Sequence, residues 1–401
     1  MLVLLLSAVV MSSLTLLVFG LNPEPGPIEI LQLPTTVAQI IFIFAVVMKV
    51  GIQNAVAALT RIQRILIGTL VIYVLFVSFK STVPSSIMFA PSWIVHILFF
   101  VALLCLFSNT DDTGADTIWM VVGLTALVHV CVFLIAWAIW PDAIRKGNFP
   151  AFDNIRHLGY FLAPAAAVMA VQHVTRMEKP LLPLLCFAAA VFYIIYTGSR
   201  GGAIALVGGL AMTGVFMIWR RQNVSIARAV VLIVITVLAV IISELLPSLP
   251  WKPVFGRGVD AISQTGTEML GGRSQVWSAT LVAIEQNWLF GYGPAIMGQV
   301  PEYPGPSYRH PHNIGLQLLL HWGAFGTFIV LATALAFTSK IWTALHSWPS
   351  LALLPFAALL TMSIHALVDG GLFYPYSTVI AIIAFASLVG IGWQQETAQS
   401  G

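Results

Sequence analysis

Long apolar segments, each close to the length needed to cross a lipid bilayer, constrain the fold of this chain more than any other feature. Hydrophobic residues make up 59% of the 401 positions, whereas only 8% are charged. A helix needs about 20 apolar residues to span the hydrocarbon core, and a soluble domain carries about a quarter charged residues. The sequence therefore predicts an all-α polytopic membrane protein. It excludes a cytoplasmic enzyme, a disulfide scaffold, a disordered chain and a nucleic-acid binder.

Charges and Pro/Gly clusters divide the apolar residues into predicted transmembrane segments. The twelve segments are approximately 1–21, 30–50, 62–79, 90–108, 118–140, 158–174, 180–198, 201–219, 228–247, 314–338, 350–368 and 375–394. The first has no basic flank, so we expect a retained helix and not a signal peptide. The predicted organisation is helices 1–9 in residues 1–247, one large loop in 248–313 and helices 10–12 in 314–401.

The large loop is rich in Gly, Pro, Tyr and charge, and it contains one segment with helical spacing. Trp277, Leu281, Ile284 and Trp288 recur at intervals of three or four residues. This pattern predicts a short helix that lies at the membrane interface or against the bundle.

The distribution of Lys and Arg among the loops predicts the orientation. The two sets of loops carry nine each, so the totals do not decide it. Arg220, Arg221 and Arg228 form a compact basic flank, which favours cytoplasmic termini and a periplasmic large loop. Cations on the outer side then indicate an anionic ligand. The alternative, which we favour for Lys146, Lys252 and Arg257, is pairing with acidic residues of the same loops.

Arg200 is the first candidate functional residue, because it lies between two apolar segments in the short sequence TGSRGG. Small neighbours let a large anionic headgroup approach, and a guanidinium matches phosphate oxygens with two parallel hydrogen bonds. The alternative is a tight hairpin whose arginine extends to the interface.

Three further cations complete the candidate set. Arg273 and Arg156 precede segments that re-enter the membrane, and Lys80 follows the third segment.

A second group of polar residues lies at the entry to the tenth segment. His310 and His312 come just before it, and Asn313, Gln317 and His321 follow at intervals of four residues. Such a polar stripe is expected to face the interior of the bundle, because lipid cannot satisfy it.

The chemistry predicted for these histidines is acid–base catalysis. Positive charge on Arg309 is expected to lower the pKa of a neighbouring histidine, and neutral imidazole is the form that a general base needs. The same cation opposes the alternative, a metal site on His-x-His. Further along, His365 and Asp369 are four residues apart, so they could form a structural pair or orient a catalytic group.

These motifs resemble those of the O-antigen ligase family, within a superfamily that includes O-antigen polymerases and protein O-oligosaccharyltransferases. The ligase pattern is His-[Asn/Ser/Gln], nine residues, then Gly-x-x-[Gly/Thr/Tyr], and it matches His312-Asn313 and Gly323-Ala324-Phe325-Gly326. The superfamily's Ser-Arg-Gly loop matches residues 199–201. Its Gly-Arg, Trp and Gly-Tyr-Gly elements match residues 272–273, 277 and 291–293. Twelve segments and one large periplasmic loop also agree.

The resemblance implies a GT-C-like helical bundle in the bacterial inner membrane, with an active site that faces the periplasm. It implies an inverting glycosyltransferase of lipopolysaccharide biosynthesis, which transfers O-antigen polysaccharide from undecaprenyl pyrophosphate to lipid A-core. His312 would deprotonate the acceptor hydroxyl, and Arg200 and Arg273 would hold the leaving diphosphate. Further candidates for substrate binding are Arg156, Lys80, Arg309, His310 and Asn313.

No metal or other cofactor is expected, because several guanidinium groups can neutralise the diphosphate in place of a divalent ion. The predicted partners are the lipid-linked donor, the lipid acceptor and membrane lipids, and not nucleic acid. The nearest alternative is an O-antigen polymerase that uses the same donor. An alternative of another class is a lipid-linked oligosaccharide flippase, although transporters favour paired repeats and charges deep in their spans.

Overall fold

The computed structural model describes residues 2–19, 28–51, 57, 59–108, 112–142, 155–176, 181–246, 273–305, 310–347 and 349–400. All regular elements in these ranges are helical. The α-helices are α1 Leu2–Phe19, α2 Ile28–Val50, α3 Arg61–Lys80, α4 Pro84–Phe107, α5 Asp112–Ile139, α6 Gly159–Thr175, α7 Leu181–Tyr196, α8 Arg200–Trp219, α9 Ile226–Leu245, α10 Arg273–Gln286, α11 Ile314–Leu335, α12 Thr338–Ser347, α13 Pro349–Val368 and α14 Pro375–Ser400. Short 3-10 helices are Ile155–Leu158, Met297–Gln299 and Gly371–Phe373.

Each predicted transmembrane segment coincides with a helix, which confirms the all-α prediction. Within the described ranges, nine helical stretches are long and apolar enough to cross a membrane, so the chain is a multi-pass membrane protein. The helices α6 and α7 are shorter, with 17 and 16 residues. The count of twelve crossings, the three-part division of the chain and the periplasmic loop stay predictions.

Helix direction places the cations at two opposite ends of the bundle. α8 begins at Arg200 and is followed by Arg220, and 20 helical residues separate its ends by about 30 Å. At the Arg220 end, that guanidinium donates to the backbone carbonyl of His346, and Arg176 pairs with Asp116 at 3.0 Å. Arg200 therefore lies on the other side from the basic flank, as the predicted orientation requires.

The helix α11 is broken at Gly323, whose φ is 58°. The loop that follows α10 fills the break and hydrogen-bonds the backbone groups that the break leaves unpaired. The bonds are Tyr292 N–H to Leu320 O (2.9 Å), Gly293 N–H to His321 O (2.8 Å), Ala324 N–H to Trp288 O (2.7 Å) and Phe325 N–H to Leu289 O (3.1 Å). Backbone groups at membrane depth need such partners, because lipid offers none.

Two glycines make this backbone contact possible. A Cβ atom on Gly323 would overlap the carbonyl of Leu289, and one on Gly291 would lie 2.5 Å from the nitrogen of Gly323. Gly291 also has a positive φ of 70°, a conformation that costs little only for glycine. Tyr73 of α3 closes the contact, with its Oη 2.6 Å from Trp322 O and 2.9 Å from Phe290 O.

The predicted helix in the large loop is confirmed as α10, and part of the predicted stripe, Trp277 and Ile284, packs inside the protein. Leu281 and Trp288 are 49% and 59% exposed. The buried residues that pack with Leu320 of α11 are Val276, Ala279, Ala283 and Ile284. Small side chains allow a helix to approach its neighbour closely, whereas large apolar side chains are equally stable against lipid.

We expect Gly291→Ala and Gly323→Ala each to destabilise the protein by at least about 2 kcal/mol, through backbone strain and overlap with neighbouring backbone. The thermal unfolding midpoint in detergent measures this effect. Gly68→Ala in α3 is the matched control, because its added methyl group would have no atom of the described residues within 4 Å. If the Gly291 or the Gly323 variant unfolds at a midpoint as high as that of the control, the close backbone contact between these two glycines is contradicted.

Candidate active site at one end of the bundle

His312 and Asp369 meet at the Arg200 end of the bundle, although 57 residues separate them in the chain. His312 precedes α11 by two residues and Asp369 immediately follows α13. Asn313 connects the two helices. Its Oδ1 accepts the N–H of Leu316 at 3.1 Å, which caps α11, and its Nδ2 donates to the carbonyl of Leu367 at 3.1 Å. The helix cap thus fixes the distance between histidine and carboxylate.

Asp369 is the centre of the hydrogen-bond network. Its Oδ1 accepts from His312 Nδ1 at 2.5 Å, from Tyr160 Oη at 3.0 Å and from the N–H of Gly370 at 2.8 Å. Its Oδ2 lies 3.5 Å from Nη2 of Arg273. Burial alone would raise the pKa of Asp369, but the bond from His312 and the nearby positive charges hold that pKa well below its usual range. The carboxylate is therefore ionised at working pH.

The ionised carboxylate determines which nitrogen of His312 carries the proton. A carboxylate only accepts hydrogen bonds, so Nδ1 of His312 carries a proton, and in the neutral ring the lone pair is then on Nε2. The His312 side chain is 21% exposed, so a substrate can reach it. A neutral imidazole with a fixed tautomer and a buried carboxylate behind it has the arrangement of a general base.

Positive groups lie next to this pair. Arg273 is the first residue of α10, and its guanidinium is about one-third exposed. Arg200 is the first residue of α8, and Gly201 brings that helix against the cluster. A Cβ atom on Gly201 would lie 3.2 Å from Asp369 Oδ2 and 3.2 Å from His365 Nε2. The guanidinium of Arg273 and the first turn of α8, with the positive end of its helix dipole, thus lie beside Asp369.

His310 lies beneath His312 and is 3% exposed. Its Nδ1 accepts the backbone N–H of His312 at 3.3 Å, and the two ring centroids are 4.2 Å apart. Burial, and next the charge on His312, lower the pKa of His310 well below its usual value. A lowered histidine pKa was predicted, but on account of Arg309, which lies outside the described residues.

His310, His312 and Asp369 also offer three ligand atoms within 4.8 Å of one another, a spacing that a metal ion could use. The donor set does not fit a metal well. Nδ1 of His310 and Nδ1 of His312 are already in hydrogen bonds, and the guanidinium of Arg273 contacts the carboxylate. A cation beside the cluster opposes a second one, so we interpret the cluster as a hydrogen-bonded site.

The remaining predicted residues are placed as follows. Lys80 Nζ lies 4.3 Å from the ring centroid of Phe290, in the loop that fills the α11 break. Arg156 belongs to the 3-10 helix Ile155–Leu158, but its side chain is outside the described part of the structure. Substrate binding by Lys80, Arg156, Arg309 and Asn313 therefore stays a prediction, and the Asn313 amide is already used to cap and anchor α11.

Tyr160 is the functional candidate that the sequence did not reveal. Its hydroxyl donates to Asp369 across 209 residues of chain, and the only local signal is its position at the same end of α6 as Arg156. His365 lies close to Asp369, since both are 3.2 Å from the position of a Cβ atom on Gly201, but neither of its ring nitrogens has a hydrogen-bond partner among the described residues. The carboxylate of Asp369 is directed to His312 and Tyr160 instead.

An apolar cavity of about 380 Å³ lies inside the bundle, between α3, α4, α11, α13 and α14. Along α11 its lining runs from Ile314 to Ala334, a rise of about 30 Å. Gln317 and His321 line it and are buried, which confirms that the polar stripe of α11 faces the interior. Its lining on α11 begins at Ile314, the first residue of that helix and two positions after His312.

The fold and the site define a multi-pass helical membrane protein with a histidine–carboxylate–arginine cluster at one end. Residues 185–331 match the family model described as O-Antigen ligase, and this match supports assignment of the chain to the O-antigen ligase family. No protein in a search of curated proteins matches the chain. The matched range contains Arg200, Arg273 and His312, whereas Tyr160 and Asp369 lie outside it. The family implies a ligase- or polymerase-type glycosyltransferase with lipid-linked polysaccharide substrates.

We expect Asp369→Asn to lower the rate of sugar transfer by about 100- to 10,000-fold, because an amide can donate to Nδ1 and so favours the wrong tautomer of His312. The pKa of Asp369 in the folded protein lies below the value of about 3.9 for an unfolded aspartate, so the folded carboxylate loses its charge only in strong acid. The protonation state of Asp369 itself should therefore not change between about pH 5 and 8.

Asp116→Asn is the matched control, since Asp116 pairs with Arg176 at the opposite end of the bundle. It should transfer at the wild-type rate. An Asp369→Asn protein that is folded and nearly as active as this control would remove the carboxylate from the mechanism.

Proposed function

We propose that this protein is an inverting, metal-independent O-antigen ligase. It transfers O-antigen polysaccharide from undecaprenyl pyrophosphate to a sugar hydroxyl of lipid A-core, at the periplasmic face of the bacterial inner membrane. The observation that carries the proposal is the 2.5 Å contact of His312 Nδ1 with the carboxylate of Asp369, beside Arg273. The match of residues 185–331 to the O-antigen ligase model supports the same conclusion.

In the proposed reaction, Nε2 of His312 accepts the proton of the acceptor hydroxyl. The oxygen attacks the anomeric carbon of the donor, and the bond between that carbon and the diphosphate oxygen breaks. The electron pair leaves with undecaprenyl pyrophosphate, and configuration inverts because attack and departure occur on opposite faces. Asp369 stabilises the imidazolium that forms and holds its orientation.

Arg200 and Arg273 stabilise the negative charge that develops on the leaving diphosphate. They begin α8 and α10, so each guanidinium acts together with the N-terminal end of a helix. Groups of this kind act most strongly on charge that appears in the transition state. Several fixed positive groups therefore provide the neutralisation for which other transferases use a divalent ion.

The cavity supports a lipid-linked donor. Its lining includes α11 residues from Ile314 to Ala334, which span about the thickness of a hydrocarbon core, and Ile314 lies two positions after His312 in the chain. A molecule with a diphosphate at the surface and a long hydrocarbon chain below matches this combination of charge and apolar surface. A soluble nucleotide-sugar donor would make no use of it.

We expect purified protein in detergent with EDTA to convert lipid A-core into a ladder of larger products, when it receives undecaprenyl-pyrophosphate O-polysaccharide. Gel separation of the products measures this conversion. His312→Ala should lower the rate by about 100- to 10,000-fold, as for loss of a general base. Loss of wild-type activity in EDTA, restored by a divalent metal, would overturn metal independence.

The same assay separates the alternatives. Longer lipid-linked chains with unchanged lipid A-core would identify an O-antigen polymerase, and folded protein that forms neither product would favour the flippase. An active His312→Ala protein beside an inactive His310→Ala protein would show that the base is assigned to the wrong histidine.

We expect Arg200→Ala to lower transfer by about 100- to 1000-fold, which is the usual effect of removing one donor to transition-state charge. The measurement is the initial rate at saturating acceptor, with protein amount and monodispersity checked. Arg64→Ala is the matched control, because Arg64 is exposed and lies at the opposite end of α3 from Lys80. Equal rates in the two variants would remove Arg200 from the diphosphate site.

A further inference from the structure

We propose that His310 is a positioning residue, which holds the backbone of His312 in the shape that presents its ring to Asp369. The inference rests on the proposed role of His312 as the base. It assigns His310 a different role from the substrate binding expected from its position in the sequence.

The backbone of His312 is in an unusual conformation. Its φ is 55°, a value that few residues other than glycine adopt and that persists only where the surroundings impose it. Such conformations concentrate at functional sites. Interactions with neighbouring groups must therefore hold the backbone of His312 at this φ, and a change in φ would change the direction of the ring.

The structure shows two hydrogen bonds at this turn. Nδ1 of His310 accepts the N–H of His312 at 3.3 Å, and the indole Nε1 of Trp277 in α10 donates to the carbonyl of Pro311 at 2.9 Å. The intervening proline restricts its own φ to about −65°. His310 thus serves as the side-chain acceptor that closes a turn onto the N–H two residues later, as Asn and Asp commonly do.

The site is built to keep the His310 ring in place. A Cβ atom on Gly370 would overlap Nδ1 of His310, so the glycine after Asp369 leaves the space that the ring occupies. The rings of His312 and Tyr374 pack on it, with centroids at 4.2 Å and 5.7 Å. The lowered pKa of His310 keeps its ring neutral. A neutral ring has one nitrogen without a proton, as Nδ1 must be in order to accept a hydrogen bond.

Two amide variants distinguish this role from substrate contact. The Oδ1 of asparagine occupies the position of Nδ1 of histidine along the side chain, whereas the amide of glutamine corresponds to Nε2. His310→Asn keeps the acceptor for the His312 N–H and removes Nε2. His310→Gln does the reverse, and His310→Leu removes both.

The experiment measures kcat and KM of the three variants in the detergent assay, with monodispersity and thermal unfolding as checks on folding. We expect His310→Asn to stay within about threefold of the wild type, and His310→Gln and His310→Leu to lose about 10- to 100-fold in kcat, the scale of a misplaced catalytic group. The KM for each substrate should not change. A substrate contact would raise KM instead.

A readout that needs no activity is the rate at which diethylpyrocarbonate modifies His312, followed by mass spectrometry. We expect His310→Gln and His310→Leu to change that rate severalfold, because His312 loses its contact with Asp369 and its fixed orientation, whereas His310→Asn keeps the wild-type rate. This readout separates the two proposals, since inactive wild-type protein would defeat the proposed function without altering the modification pattern.

The remaining outcomes overturn the inference. An active Gln variant beside an inactive Asn variant would show that His310 acts through Nε2. If the Asn, Gln and Leu variants are all folded and transfer at equal rates, the hydrogen bond to the His312 N–H has no positioning role. This holds whether all three are active or all three are inactive.

Discussion

The buried carboxylate of Asp369 is the group on which the arrangement of the site depends. A charge removed from water is stable only where hydrogen bonds and opposite charge replace the solvent. Here those partners come from separate elements: Tyr160 from α6, Arg273 from α10 and His312 from the entry to α11. The interactions that stabilise the carboxylate are therefore the same ones that assemble the base and a cation. Loss of any one partner leaves a buried charge less compensated.

The break in α11 is the second constraint, because it fixes the loop that carries the rest of the site. The Gly291–Gly323 contact joins this loop to α11 backbone to backbone, and Trp277 joins α10 to the turn before His312. The motif residues thus divide into two kinds. The glycines and Asn313 set the path of the main chain, whereas Arg200, Arg273 and His312 supply the charged and basic groups. Substituting either kind should impair the site, but only the first kind should also change the path of the main chain.

Local pattern was enough to predict the helices and part of the site. Apolar runs of membrane length place every predicted segment on a helix, and the motif residues Arg273 and His312 both lie beside Asp369. Contacts across the chain, such as that of Tyr160 with Asp369, leave no local signal. Only part of the apolar stripe of α10 packs inside the protein, because large apolar residues are as stable against lipid as against protein, so their spacing alone does not indicate burial.

The two oxygens of Asp369 divide the functions of the site. Oδ1 accepts three hydrogen bonds, which fix the tautomer and direction of His312. Oδ2 faces Arg273 at 3.5 Å, and that guanidinium is about one-third exposed. Because His312 is held through the other oxygen, its orientation does not depend on where that guanidinium points. Arg273 can therefore turn toward an incoming anion while the base stays in place, so one carboxylate supports both a fixed base and an adjustable cation.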